Sequence, residues 1–164
     1  MTDYILLAIA TPFALWAAWS DLKFMLIPND LSTFAALAFI LIMPFFLPLD
    51  DFGLRVAIAG WVLIAGFLLN AIGQVGGGDV KFATVMVPYA MPQDYQILLT
   101  IYLSALLLCF VLHRVAKLAL RNSAIVADWK SFDAGGKFPM GLPMALAILV
   151  YLIAKALGVV PVLA

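Results

Sequence analysis

Gly76-Gly77-Gly78-Asp79-Val80-Lys81 places a carboxylate at the end of a glycine run, between two apolar segments. The chain around it is 164 residues long, 66% hydrophobic and 11% charged, with a mean hydropathy of +1.15. Soluble domains carry roughly 25% charged residues. Charge this sparse cannot coat a globular surface, so the composition specifies an integral membrane protein built as an all-α helix bundle. An acidic group at the edge of a bilayer then needs a physical reason. The formal net charge is zero, which gives no electrostatic basis for a nucleic-acid partner.

Upstream of the glycine run, three apolar segments read as helices. Residues 4 to 20 cover about 26 Å as a helix, against a hydrocarbon core of about 30 Å. That helix must continue to span, which draws Asp21 to the membrane edge. Pro12 inside it predicts a kink. No basic residue precedes it and Asp3 stands there instead, so it is expected to be a retained helix rather than a cleaved signal. Ile27-Pro28-Asn29-Asp30 breaks the chain, with Asn29 or Asp30 as cap of a second helix over 31–47. Pro48-Leu49-Asp50-Asp51 reads as a polar turn before a third helix over 54–72. Asn70 in that helix can hydrogen-bond near the glycine run or serve helix packing.

Downstream, residues 80–91 make only about 18 Å of helix, short for a span. Basic residues favour the cytoplasmic side. If this fourth helix crosses, Arg114, Lys117, Arg121, Lys130 and Lys137 join Lys23 and Lys81 on that side, leaving Arg55 and Lys155 opposite. The expectation is therefore a crossing helix and an external turn at Met91-Pro92-Gln93-Asp94. A fifth helix over 95–115, a polar segment over 116–137 with room for an interfacial helix, and a last helix over 139–157 complete the reading. The architecture expected is a single domain over 1–164 with about six transmembrane helices and both termini extracytoplasmic.

Asp21 and Asp79 then share the cytoplasmic face. Two carboxylates in a partly dry site cannot both ionise easily, so they share a proton. Such a pair contains a base that activates water and an acid that protonates a carbonyl oxygen. The duller alternative makes Asp21 a helix-end charge and Asp79 the N-cap of the fourth helix. Lys23 and Lys81 each follow an aspartate by two positions, off its helix face, and read as topology anchors at lipid phosphates. Asp30 reads as a cap. Asp50, Asp51, Asp94, Asp128 and Asp133 read as solvated loop or turn residues. His113, the one histidine, reads as an interfacial helix-end group; with Cys109 the one cysteine, no metal site and no disulfide is expected.

These residues resemble the type IV prepilin peptidases, a family of membrane aspartic peptidases. Three stretches carry the resemblance: Ser20-Asp21 through Ile27-Pro28-Asn29, then Gly76 to Lys81, and Phe138-Pro139-Met140-Gly141-Leu142-Pro143 leading into Ala145-Leu146-Ala147. The resemblance implies Asp21 and Asp79 as catalytic residues. Gly76, Gly77, Gly78, Lys81, Pro28, Asn29, Pro139 and Gly141 match motif or substrate-positioning places. It implies cleavage of a short basic leader from a pilin precursor at the cytoplasmic face of the inner membrane, with no cofactor. The partners implied are that prepilin, with its hydrophobic helix, and membrane lipid. With one cysteine and no paired-cysteine motif, no methyltransferase domain like that of many members is expected, and the chain resembles the short CpaA/TadV-like branch that serves Flp or tight-adherence pili. Other readings of the same aspartates are an intramembrane peptidase for preflagellins or signal peptides, and a small ion-coupled transporter. The short fourth helix and its glycine run further suggest a carboxylate pair completed only when substrate binds.

Overall fold

The computed structural model describes residues 1–120, 123, 126–133 and 137–160. The described residues form helices and turns without strands. The helices are α1 (Thr2–Phe24), α2 (Asn29–Ile42), α3 (Leu49–Ala71), α4 (Gly77–Met86), α5 (Tyr95–Ala119), α6 (Lys130–Asp133) and α7 (Gly141–Ala156). Short 3-10 turns over Met43–Phe45, Val87–Tyr89 and Pro92–Asp94 extend or join them.

Three segments are long and apolar enough to cross a membrane: Thr2–Phe24, Leu49–Ala71 and Pro92–Ala119. At 23 residues α1 measures about 34 Å. It runs on through Asp21, as the span length requires, and stays helical through Pro12. Asn29–Phe45 and Gly141–Ala156 are shorter apolar segments.

Apolar burial in lipid gains little, so the bundle holds together by close packing. The core lies between α1, α2, α4 and α7. Leu6, Ala10, Ala14 and Ala17 recur every three or four residues and form one face of α1, all at most 2% exposed. Their small side chains let α7 approach with Ala145, Ile148 and Leu152. Leu31, Ala35 and Phe39 make the matching stripe of α2, continued by Met43 in the turn after it, and Phe39 stacks on Phe52 with ring centroids 5.7 Å apart. By contrast α3 buries only Arg55, and α5 buries only Ala105, Cys109 and His113. Cys109 is a buried free thiol.

Several expected turn residues behave differently. Helix α3 begins at Leu49, with Pro48 before it, so Asp50 and Asp51 form its first turn. Asp51 is thereby four residues from Arg55 and binds it through Nε and Nη2 at 3.0–3.2 Å. The fully buried Arg55 also donates to the Pro88 and Ala90 carbonyls, at 3.1 and 3.2 Å. Asp94 is not solvated: it is 1% exposed and accepts from Lys155 Nζ at 2.6 Å and from the Tyr151 hydroxyl at 2.7 Å. The Tyr151 oxygen accepts the Met91 N–H at 3.0 Å. Four charged groups thus close the bundle end remote from Asp79, because chain reversal after α4 leaves carbonyls that only buried donors can satisfy.

His113 is likewise not at a helix end, since α5 runs on to Ala119. It is buried and packs on the rings of Phe132 and Phe138, with centroids 5.3 and 5.6 Å away. The only regular element in the polar segment after α5, among the described residues, is the four-residue α6; Arg121 lies outside them.

Replacing Asp94 by Asn removes the anion beside Lys155 and strands a buried cation. The expected cost is about 3–5 kcal/mol, read as a lower thermal unfolding midpoint in detergent micelles. The double replacement Asp94→Leu with Lys155→Met is expected to recover most of that loss. An unchanged midpoint in Asp94→Asn would contradict the buried pairing.

Candidate active site

Three chain segments converge on Ile27, which is 6% exposed. The first is the end of α1. Met25 adopts φ 53° and ψ 39°, the left-handed conformation that stops the helix, and its N–H donates to the Asp21 carbonyl. The Ser20 hydroxyl donates to the Leu26 carbonyl at 2.7 Å and pins the turn. Helix α2 then starts at Asn29 with Pro28 before it and no side-chain cap, so neither Asn29 nor Asp30 caps it.

The second segment is the glycine run. Positive φ is found at Gly73, at 75°, but not at Gly76, Gly77 or Gly78. In the run, glycine is needed for closeness instead. A Cβ on Gly76 would sit 2.7 Å from Asp79 Oδ2, and one on Gly78 would touch Ile27 at 3.5 Å. Gly77 packs near the Asn70 amide, whose Nδ2 donates to the Val75 carbonyl at 2.7 Å. One step further, Gly66 of α3 lies against Val80, where a Cβ would meet Cγ1 at 2.5 Å.

The third segment is the start of α7. Pro139 is fully buried, and the Gly141 N–H donates to Asp21 Oδ2 at 2.6 Å. A Cβ on Gly141 would come within 3.0 Å of both Asp21 Oδ2 and Ile27 Cδ1. A short charge-assisted bond of this kind fixes both the carboxylate and the helix end that donates to it.

Asp21 and Asp79 are thereby brought within reach of each other's charge. Asp79 is no N-cap: Gly76 takes that position, and Asp79 stands in the first turn of α4 without a side-chain cap bond. Neither lysine bonds its neighbouring aspartate. Lys81 Nζ instead donates to Asn29 Oδ1 at 2.8 Å and clamps α4 to the Ile-Pro-Asn turn. Lys23 pairs with Asp128 at 3.3 Å rather than standing as a lone anchor, so Asp128 also has a partner.

A cavity of about 630 Å³ lies beside Asp79, between α3 and α5, with α4 and α7 forming the rest of its lining. Val62, Leu69, Leu98 and Ala147 typify its walls. Its polar side chains are Gln74, Asp79, Tyr95 and Tyr102. Among the described residues no group of three or more His, Cys or Asp side chains gathers to hold a metal ion.

An all-helical bundle with three membrane-length segments, in which Asp21 and Asp79 lie near one another, has the form of a membrane protein. The chain belongs to the type IV leader peptidase family, whose model matches residues 8–114 and so includes both aspartates. It is accordingly a membrane peptidase. The Phe138–Pro143 stretch lies beyond the matched residues, although the structure brings Gly141 onto Asp21. No curated protein and no solved structure matches the chain significantly.

Sequence reasoning missed the Arg55, Asp94 and Lys155 cluster and Tyr102. The spacing of Asp51 and Arg55, four apart in one helix, was a usable signal for the first. Tyr102 carried none, since one tyrosine in an apolar helix is unremarkable.

Gly141→Ala inserts a methyl group against Asp21 Oδ2. It is expected to lower peptidase activity by more than about tenfold while the detergent-solubilised protein keeps its far-ultraviolet circular dichroism. Full activity in this variant would show that Asp21 tolerates displacement.

Proposed function

We propose that this chain is an aspartic endopeptidase that removes the basic leader from Flp or tight-adherence prepilins at the cytoplasmic face of the inner membrane. The observation that carries the reading is the approach of Asp21 and Asp79 at one end of a bundle whose family is the leader peptidases. Their catalytic roles are part of the proposal.

In the mechanism proposed, one carboxylate takes a proton from water as the water oxygen attacks the scissile carbonyl carbon. The other, protonated, gives its proton to the carbonyl oxygen. The tetrahedral diol then collapses, the C–N bond breaks, and the leaving amine takes a proton from the pair. No covalent enzyme intermediate forms. The attacking water is held between the two carboxylates in this mechanism.

Two features support the membrane orientation. Lys23, Lys81 and Asp128 cluster with the aspartates, whereas Arg55, Asp94 and Lys155 gather where α4 turns into α5. Basic residues after α5 favour the cytoplasmic side for the aspartate end. The topology proposed has about six crossings, including α4, in one domain over 1–164 with both termini extracytoplasmic. The apolar cavity beside Asp79 supports a substrate with a hydrophobic helix next to its cleavage site, and the glycine run offers backbone groups to hold the scissile stretch extended.

Wild type, Asp21→Asn and Asp79→Asn, each co-expressed with an Flp-type prepilin, test the reading. Wild type is expected to produce the shortened pilin, and each variant to cut at least about 10³-fold more slowly. Wild-type cutting by either variant at equal membrane levels would sink the paired-aspartate mechanism.

A further inference from the structure

We propose that the Tyr102 hydroxyl is a catalytic hydrogen-bond donor to the scissile carbonyl oxygen, on the cavity lining that it shares with Asp79. The inference rests on the peptidase reading above and adds a third group to its two aspartates.

Tyr102 lies on α5, whereas Asp79 lies in the first turn of α4; both line the same cavity. The Asp79 carboxylate is near enough for its charge to act on the Tyr102 hydroxyl. Tyr102 is partly buried, yet its hydroxyl makes no hydrogen bond to any described residue. The hydroxyl is not buried, so it is open to a group entering the cavity. The cavity's other tyrosine, Tyr95, has a buried hydroxyl without a partner, but it lies at the start of α5, near Asp51 and Arg55. Gln74 precedes the glycine run and can both donate and accept. Tyr102 therefore offers a rigid donor on the apolar cavity that the carboxylate also lines.

The chemistry gives that donor a task. As water oxygen bonds to the carbonyl carbon, the C=O π electrons move onto oxygen. The protonated aspartate delivers one proton there. A second donor stabilises the negative charge before and during that transfer, and it keeps its own proton throughout. Donors already in place in a dry site act strongly because no solvent has to reorganise. A peptide lying in the cavity with its carbonyl between Asp79 and Tyr102 gives the developing charge a donor on each side.

The test compares wild type, Tyr102→Phe and Asp79→Asn, purified in nanodiscs, on a synthetic prepilin peptide that retains leader and apolar helix. Tyr102→Phe keeps the ring and deletes only the hydroxyl. The expected result is a kcat about 10²-fold lower, a KM within about twofold of wild type, the same pH optimum and the same thermal midpoint. An undiminished kcat in Tyr102→Phe, with Asp79→Asn inactive, would overturn this inference and leave the aspartate pair standing. A loss seen only as a displaced pH profile, with an unchanged plateau rate, would make Tyr102 act through Asp79 and also overturn it. A wild-type protein that cuts no leader-bearing pilin peptide would overturn the peptidase reading and this inference together.

Discussion

The bond from the Gly141 N–H to Asp21 Oδ2 joins the last helix to the first across 120 residues of sequence. Much of the candidate site depends on it. Asp21 is buried, so its lone pairs need donors that water cannot supply. The start of α7 supplies one because its first N–H groups have no partners within the helix. Glycine at 141 allows the approach, and Ile27 fills the remaining space against both α7 and the glycine run. A carboxylate held in this way has a fixed orientation against the start of α7.

The two ends of the bundle solve different problems with similar groups. At the aspartate end, carboxylates stand near one another without a cation between them, and Lys81 and Lys23 are engaged elsewhere. At the other end Asp94 and Asp51 each have a cation in contact. Paired charges of the second kind satisfy backbone and lock the return from α4 to α5. Unneutralised carboxylates of the first kind are costly to keep, and that cost fits chemistry better than architecture. The same contrast explains why α4 is short. Its far end is held by Arg55 through the Pro88 and Ala90 carbonyls and by Tyr89 bonding the Ala35 carbonyl, while its near end is held by Lys81 and the close packing of Gly78.

Around this core, α3 and α5 are lightly buried and leave an apolar cavity between them. Asp79 and Tyr102 lie on its lining, so polar chemistry and an apolar binding surface meet in one place. The substrate proposed above, part leader and part hydrophobic helix, calls for that combination. Gly66 contributes by letting α3 press against Val80, the residue after Asp79.

The sequence by itself determined the helical membrane class, most helix positions, and the candidate aspartates with their turns. Hydropathy, helix length and proline or glycine breaks are local properties that survive without a fold. The burial of Asp94, the partner of Lys81, the place of His113 and the approach of Gly141 to Asp21 were decided by tertiary structure. Each joins groups far apart in the chain, and whether a charge is solvated or paired depends on which helix stands opposite. Asp94 read as a solvated turn because its neighbours in sequence are polar; its neighbours in space are Lys155 and Tyr151, about sixty residues away. Burial makes that pairing obligatory, and burial exists only once the helices have packed.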